Sequence, residues 1–188
     1  MEDFKIIFVH GYTASSKADW YPNIIPELEK LGIDFAIPDL PGGEHPHVKV
    51  WLRVIHQEVL KTNKPLVLVG HSLGTRVVLL YLEKYKPKVK LVLLIAAFAN
   101  RLENANRNDG EAYPDFFVNK IDISKIKSLS EKFIVMHSKD DNSIPYQQGV
   151  EITQDLEAEL ITYSDRSHFY KPENAPYVLE VLRKELNL

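Results

Sequence analysis

The chain has 188 residues, a formal net charge of −3 and no cysteine. This length suits one folded domain, and the slightly acidic balance argues against a nucleic-acid-binding surface, which is normally strongly basic. The lack of cysteine excludes disulfides, cysteine-ligated metal sites and a cysteine nucleophile. The first residues are acidic, and the longest apolar run, Leu91–Ala99, is far shorter than a membrane-spanning helix. We therefore expect residues 1–188 to form a single domain of a cytoplasmic protein that binds neither nucleic acid nor membranes.

Short apolar runs alternate along the chain with longer amphipathic segments. The runs are rich in β-branched residues and apolar on both faces, as in the central strands of a parallel sheet that helices cover on both sides. We predict strands at Lys5–Val9, Asp34–Ile37, Leu66–Val69, Leu91–Ile95, Phe133–Met136 and Leu160–Tyr163. Helical patterns occur at Ile24–Leu31, within Val48–Lys61, at Leu73–Tyr85 and at Val178–Leu186. This alternation predicts right-handed crossovers and a doubly wound α/β sheet of six parallel strands.

A long interval separates the fourth and fifth predicted strands. Residues 99–131 contain a polar tip at 100–109 and an aromatic patch of Tyr113, Phe116 and Phe117. Because a structureless connection of this length is uncommon, we expect short helices within it. The segment is either a small cap over a binding site or an ordinary connection whose aromatic residues belong to the core.

The most specific motif is the sequence GHSLG at residues 70–74, which follows a predicted strand and precedes a predicted helix. A G-x-S-x-G sequence in this setting is typical of a nucleophile elbow, a strained turn that lifts a serine hydroxyl above the carboxyl edge of a sheet. Small residues at Gly70 and Gly74 let the strand and the helix approach closely. The motif therefore predicts Ser72 as a nucleophile.

A serine nucleophile needs a base, and the base needs a group that orients it. After an elbow of this kind, the acid and then the histidine follow along the chain. Of the seven histidines, only His168 follows the candidate acids in the chain and also comes after a predicted strand, at the same edge of the sheet as Ser72. Asp141 is preferred as the acid because it begins a D-x-x-I-P arrangement that is common at this place in hydrolases. The competing Asp140 is expected to cap the turn or to face solvent.

Two backbone N–H groups are expected to form an oxyanion hole. One belongs to Leu73, directly after the nucleophile, and the other to Tyr12, in the loop after the first strand, where Gly11 permits a tight turn. Candidates for lining an acyl pocket, which could equally be core residues, are Tyr12, Trp20, Tyr113, Phe116 and Phe117.

These motifs together resemble those of a known family. The sequences that resemble the α/β-hydrolase superfamily are His10-Gly11, Gly70–Gly74, Asp141 and His168-Phe169. Those similar to the small serine hydrolases of the YdeN-like and retinoblastoma-binding-protein-nine group are Asp19-Trp20-Tyr21, Ile37-Pro38-Asp39 and Trp51-Leu52. The resemblance spans essentially the whole chain. It implies a three-layer α/β/α-hydrolase fold with about six mostly parallel strands, a minimal cap and carboxylesterase activity.

The same residues restrict the chemistry. Ser72 argues against dehalogenases and epoxide hydrolases of this superfamily, which carry an acid at the nucleophile position. The glycines at 70–74 match no nucleotide-binding motif and the histidines lack metal-ligand spacing, so we expect no cofactor and no metal. The expected partner is a small acyl ester, hydrolysed through an acyl-enzyme. The alternatives are thioester or amide hydrolysis, or a protein-binding module without catalytic activity.

Overall fold

A computed structural model describes residues 3–102 and 112–188. The strands are β1 (Lys5–Val9), β2 (Asp34–Ala36), β3 (Leu66–His71), β4 (Val89–Ile95), β5 (Ser130–Ser138) and β6 (Glu159–Tyr163). The α-helices are α1 (Tyr21–Lys30), α2 (Val48–Val59), α3 (Leu73–Tyr85), α4 (Tyr146–Leu156) and α5 (Ala175–Leu186). Within these two ranges, no helix is long and apolar enough to cross a membrane.

The six strands form one parallel sheet in the order β2-β1-β3-β4-β5-β6, which confirms the predicted doubly wound α/β fold. Successive side chains of a strand point to opposite faces. In β1, Ile7 and Val9 therefore pack against the layer of α2, α3 and α4, whereas Ile6 and Phe8 pack against the layer of α1 and α5. Two apolar cores, one on each face, hold the three layers together.

The position of the site follows from the strand order. The chain places β2 on one side of β1 and then returns to place β3 on the other side. As a consequence, α1 leaves β1 toward one face of the sheet and α3 leaves β3 toward the opposite face. The diverging loops leave a crevice at the carboxyl ends of the strands, which is where open α/β sheets bind ligands. The register Val9↔Gly70 brings the loop after β1 beside Ser72.

The described part of segment 99–131 contains the short helices that the sequence predicts. They are 3₁₀ helices at Pro114–Phe116, Ile123–Lys125 and Lys127–Leu129. Arg76 of α3 is fully buried and donates hydrogen bonds to the carbonyl oxygens of Ala99, Phe116 and Asn119. These hydrogen bonds attach the segment to α3. Most of the polar tip predicted at 100–109 lies outside the described residues, and a cap stays a prediction.

One helix, α4, has no counterpart in the sequence-based prediction. Its buried residues include Gln148 and Gly149 as well as Ile152 and Leu156, so its inward face is not a continuous apolar stripe. A side chain at Gly149 would collide with the ring of His137 on β5. This helix therefore packs close to the sheet through small and polar residues. It lacks the continuous apolar periodicity from which the other helices are predicted.

Candidate active site

Ser72 occupies the sharp turn between β3 and α3, with φ 54° and ψ −124°. Its N–H donates to the carbonyl oxygen of Ile95 (2.9 Å), and its own carbonyl oxygen accepts hydrogen bonds from the N–H (2.9 Å) and hydroxyl (2.7 Å) of Thr75. The flanking glycines are required sterically: a Cβ at Gly70 would lie 2.8 Å from Cα of Thr75, and one at Gly74 would collide with the carbonyl oxygen of Val9. The turn therefore holds Ser72 in a conformation that few side chains adopt.

His168 lies within hydrogen-bonding distance of Ser72, although 96 residues separate them. The hydroxyl of Ser72 donates to Nε2 of His168 (2.9 Å), and Nδ1–H of His168 donates to the carboxylate of Asp141 at 2.9 Å from Oδ2 and 3.1 Å from Oδ1. Burial lowers the pKa of His168 below its ordinary value of 6.5, although the carboxylate of Asp141 opposes this shift. The ring is therefore neutral at pH 7 and able to accept a proton.

Asp141 is buried in the turn after β5. Its Oδ1 accepts hydrogen bonds from the N–H groups of Ser143 (2.8 Å) and Ile144 (2.9 Å), and Nε2 of His137 lies 3.5 Å from its Oδ2. Burial by itself raises the pKa of Asp141. Hydrogen bonds from His137, His168 and the N–H of Ile144 outweigh burial, so the pKa lies well below its usual range. Asp141 is therefore a carboxylate that faces His168 throughout the neutral pH range.

Asp140 contacts a different part of the histidine loop. Its Oδ1 accepts hydrogen bonds from the hydroxyl of Ser138 and from the N–H of Ser167 (2.9 Å), and the N–H of Arg166 donates to Ser138 Oγ (3.0 Å). Asp140 and Ser138 thus connect the end of β5 to the residues just before His168. The adjacent carboxylates therefore contact the histidine loop at two points, the imidazole and the backbone.

The loop after β1 lies directly over Ser72. A side-chain carbon at Gly11 would lie 3.0 Å from Cβ of Ser72 and 3.6 Å from its Oγ. Buried His10 fixes this loop, since its Nδ1–H donates to the carbonyl oxygen of Gly11 (2.9 Å) and its Nε2 accepts from the N–H of Leu40 (2.9 Å). Tyr12 follows Gly11 in this loop, and Leu73 follows Ser72 as the first residue of α3.

A small cleft of about 170 Å³ opens beside Ser72 and His168. Tyr12 lines it, as do four residues that the sequence analysis does not assign to a pocket: Thr13, Asp19, His71 and Tyr170. Chain position alone gives a signal for these four, because Thr13, Asp19 and Tyr170 lie in the loops that follow β1 and β6, and His71 is the last residue of β3. A larger groove of about 690 Å³ lies between α1 and α5 and contains none of the predicted site residues.

The other four pocket candidates do not line this cleft. Trp20 is fully buried, 4.2 Å from Tyr21 between ring centroids, and belongs to the core beneath α1. Phe116 is buried edge-on against Trp51, at 5.3 Å between ring centroids. The remaining two, Tyr113 and Phe117, pack on Tyr12 and on the guanidinium of Arg76. Trp20 and Phe116 are therefore core residues, which is one of the two alternatives that the sequence leaves open, because both side chains pack into the apolar layers.

Across the two described ranges, no group of three or more His, Asp or Glu side chains is placed to hold a metal ion. The hydroxyl of Ser72 and the imidazole of His168 line the cleft. With the carboxylate of Asp141 they form a hydrogen-bonded series that is suited to proton transfer.

Comparison with known proteins identifies the family. The family model described as serine hydrolase matches residues 6–175. The protein YdeN of Bacillus subtilis (strain 168) is 29% identical over 185 residues, covering 95% of this chain and 94% of that protein. Serine hydrolase RBBP9 of Rattus norvegicus is 26% identical over 155 residues, covering 82% and 80%.

Solved structures share the whole fold. The crystal structure of the ydeN gene product from B. subtilis has a TM-score of 0.83 at 26% identity and covers all of both chains. Est1E from Butyrivibrio proteoclasticus has a TM-score of 0.73 at 16% identity, covering 100% of this chain and 89% of its own, and it supports the fold alone. Since the family model spans nearly the full length, the chain belongs to the serine hydrolase family.

Proposed function

We propose that the protein is a carboxylesterase that hydrolyses small acyl esters through an acyl-enzyme. The observation that carries this proposal is the continuous hydrogen-bonded series from Ser72 Oγ through the imidazole of His168 to the carboxylate of Asp141, with 2.9 Å at each link. A serine hydroxyl is a weak nucleophile unless an adjacent base accepts its proton. The neutral imidazole of His168, whose side chain is 12% exposed, is such a base.

In the first half of the reaction, Ser72 Oγ attacks the ester carbonyl carbon and its proton passes to Nε2 of His168. Asp141 stabilises the imidazolium that forms. The carbonyl oxygen becomes an oxyanion, which accepts hydrogen bonds from the backbone N–H groups of Tyr12 and Leu73. The bond to the leaving alkoxide then breaks, and the imidazolium protonates the alkoxide so that it departs as an alcohol.

In the second half, a water molecule attacks the carbonyl carbon of the acyl-enzyme and gives one proton to His168. The second tetrahedral intermediate expels Ser72 Oγ, which regains this proton from the imidazolium. The acyl group leaves as a carboxylic acid, and the enzyme returns to its starting state. No cofactor takes part in these steps.

The size of the cleft supports a small substrate. Its volume of about 170 Å³ is below the roughly 300–1,000 Å³ of pockets that enclose drug-sized ligands. Tyr12 provides one aromatic wall, and its hydroxyl is held by the carbonyl oxygen of Glu44 at 3.0 Å. The substrate would therefore place a short acyl or alcohol group between the loop after β1 and the histidine loop.

A fluorophosphonate probe tests for the activated nucleophile. We expect the wild-type protein and a control variant with the exposed Ser164 changed to Ala to be labelled, and Ser72→Ala to remain unlabelled. We also expect Ser72→Ala or His168→Ala to lower kcat by about four to six orders of magnitude without unfolding the protein. A folded wild-type protein that resists the probe would contradict the proposal and favour a protein-binding module.

The type of acyl bond is tested separately. p-Nitrophenyl esters of graded acyl length, matched with thioesters and anilides of the same acyl groups, measure kcat/KM for each class. We expect the short esters to give the highest values. A higher value for the thioesters or the anilides would reassign the protein as a thioesterase or an amidase.

A further inference from the structure

Asp19 is a charged residue in the wall of the cleft. It lies in the loop between β1 and α1 with φ 53°, and its side chain is 18% exposed. Besides Asp19, the described residues that line the cleft include two histidines, Ser72 and Tyr170, but no lysine, arginine or second carboxylate. The cleft beside the nucleophile therefore has a negative wall.

The carboxylate of Asp19 accepts no hydrogen bond from any described residue, and no described lysine or arginine nitrogen lies within 4 Å of it. The nearest nitrogen that can carry a charge is Nδ1 of His71, 3.5 Å from Oδ2 of Asp19. Carboxylates this close to a protein interior normally have partners. Asp19 is therefore a strong acceptor in the wall of the cleft that no described residue satisfies.

His71 cannot supply the missing donor while its ring is neutral. Its Nε2–H donates to the carbonyl oxygen of His168 (2.8 Å), so Nδ1 of the neutral ring carries a lone pair and no proton. That Nδ1 is buried and has no hydrogen-bond partner. With a neutral His71 ring, two acceptors, Asp19 Oδ2 and His71 Nδ1, face each other, and a donor that reaches Asp19 from the cleft would relieve their repulsion.

The charge of Asp19 also affects its other neighbours. Burial is the main cause of the raised pKa of Tyr21, and the charge of Asp19 raises this pKa further. The same charge partly opposes the lowering of the pKa of His10 that burial causes. The field of this carboxylate therefore extends across the loop that lies over Ser72.

We propose that Asp19 is a specificity-determining residue, which binds a cationic, hydrogen-bond-donating group such as an ammonium on the ester that is hydrolysed at Ser72. This inference rests on the proposed function. An ammonium N–H donated to Asp19 forms a charge-assisted hydrogen bond, which is stronger than a neutral one. The small volume of the cleft keeps such a group close to the reacting carbonyl.

Two matched pairs of esters test the proposal on both sides of the scissile bond. The alcohol-side pair is 2-(dimethylamino)ethyl acetate and 3-methylbutyl acetate, and the acyl-side pair is methyl N,N-dimethylglycinate and methyl 3-methylbutanoate. Each pair has the same shape and differs by one protonated nitrogen at about pH 6.5. The variant is Asp19→Asn, because asparagine tolerates a positive φ and keeps the shape without the charge. The control is Asp155→Asn, which changes an exposed carboxylate on α4.

The measured quantity is the ratio of kcat/KM for the charged ester to kcat/KM for its neutral partner. Comparison of this ratio between wild type and variant removes the intrinsic reactivity of the two esters. We expect Asp19→Asn to lower the ratio about tenfold or more in at least one pair, and Asp155→Asn to leave it unchanged. Equal ratios for wild type and Asp19→Asn in both pairs would overturn the assignment.

Binding to a Ser72→Ala background separates this inference from the proposed function. The same esters are titrated against the Ser72→Ala variant and against the double variant that carries both Ser72→Ala and Asp19→Asn. The affinities measured in this way do not depend on turnover. If the wild-type protein hydrolyses none of the esters, the esterase proposal fails for these substrates, and the affinities still decide the role of Asp19. Tighter binding of the charged esters that disappears with Asp19→Asn supports the inference, and equal affinities contradict it.

Discussion

The backbone conformation of Ser72 lowers the stability of the folded protein. A non-glycine residue at φ 54° costs about 1–3 kcal/mol and persists only where its surroundings determine the conformation. Here, the hydrogen bonds to Ile95 and Thr75 hold the turn from both sides. The sequence predicts the strained turn at this residue, because the two flanking glycines are a steric requirement that is visible in the chain.

The two adjacent aspartates have different contacts, and their substitutions should differ accordingly. Asp141→Asn places an amide against Nδ1 of His168 and favours the wrong tautomer, so we expect kcat to fall by about four orders of magnitude. Asp140→Asn retains an oxygen for Ser138 and for the N–H of Ser167, and we expect less than a tenfold loss. Steady-state kinetics on one short p-nitrophenyl ester measures both variants. A severe loss in Asp140→Asn with a mild one in Asp141→Asn would exchange their roles.

The protonation of His168 sets the acid limb of the pH profile. Because the base must be neutral and burial lowers its pKa, kcat/KM should rise with pH through a midpoint below 6.5 and be level at neutral pH. A series of kcat/KM measurements from pH 4.5 to 8.5 checks this expectation. A midpoint above 7 would contradict it, since it would require that the charge of Asp141 outweighs burial.

The pocket residues show where sequence reasoning reaches its limit. Trp20 and Asp19 are adjacent in the chain, yet Trp20 is fully buried and Asp19 lines the cleft. Their opposite directions depend on the positive φ of Asp19, which turns the chain before α1. Neither composition nor periodicity indicates that angle. A motif that a steric requirement imposes can therefore be recognised in the sequence. The direction in which an individual loop side chain points cannot.

At the scale of elements, Arg76 connects α3 to the segment that follows β4. Its guanidinium is buried, and burial lowers its pKa to about 10, so it remains charged at neutral pH. Three backbone carbonyl groups accept its hydrogen bonds, and the ring of Phe117 lies 4.4 Å from it. Arg76 therefore joins this segment to the helix that begins at the nucleophile, and Glu83 of the same helix adds a hydrogen bond from the N–H of Asp122 (2.9 Å).

Replacement of Arg76 tests this connection. Arg76→Met leaves the three carbonyl groups without a donor, and we expect the free energy of unfolding to fall by about 2–4 kcal/mol. Urea denaturation measures the change. The control is Lys84→Met on the exposed face of the same helix, which should change stability by less than about 0.5 kcal/mol. Equal stability of Arg76→Met and wild type would show that the segment holds its place without these hydrogen bonds.

The elements themselves differ in how clearly the sequence marks them. All six strands are predicted. The four inner strands, β1, β3, β4 and β5, are largely buried on both faces, and their sequences are apolar without alternation. The helix α3 is predicted with both of its ends, whereas α4 is not predicted. Its buried face contains Gln148, which donates to the carbonyl oxygen of Arg101 at 2.8 Å, and Gly149 against His137. Tertiary contacts determine where polar and small residues occur on a buried face, and the sequence alone does not show these contacts.

At the scale of the whole molecule, stability should depend on pH through the buried histidines. Burial lowers the pKa values of His10 and His168 below 6.5 in the folded state. As the pH falls below about 6.5, the unfolded chain therefore binds protons that the folded protein does not, and the folded state loses stability. The depressed pKa of Asp141 adds a further loss below about pH 4.

Urea midpoints at pH 7.5, 6.5 and 5.5 measure this dependence. We expect the midpoint to decrease from pH 6.5 to pH 5.5 more than from 7.5 to 6.5, with an unchanged denaturant slope. A midpoint that rises as the solution is acidified would show that the two imidazoles bind protons more tightly in the folded state than in the unfolded chain.

The separation of the two sheet edges has a practical consequence. Ser72, Asp141 and His168 all follow the carboxyl ends of strands, whereas Lys88 is exposed just before β4, at the amino end. Since the chain contains no cysteine, a Lys88→Cys variant would carry a unique thiol. Coupling this thiol to a bead or an electrode would orient every molecule with its cleft toward the solution, so that immobilisation does not obstruct the cleft.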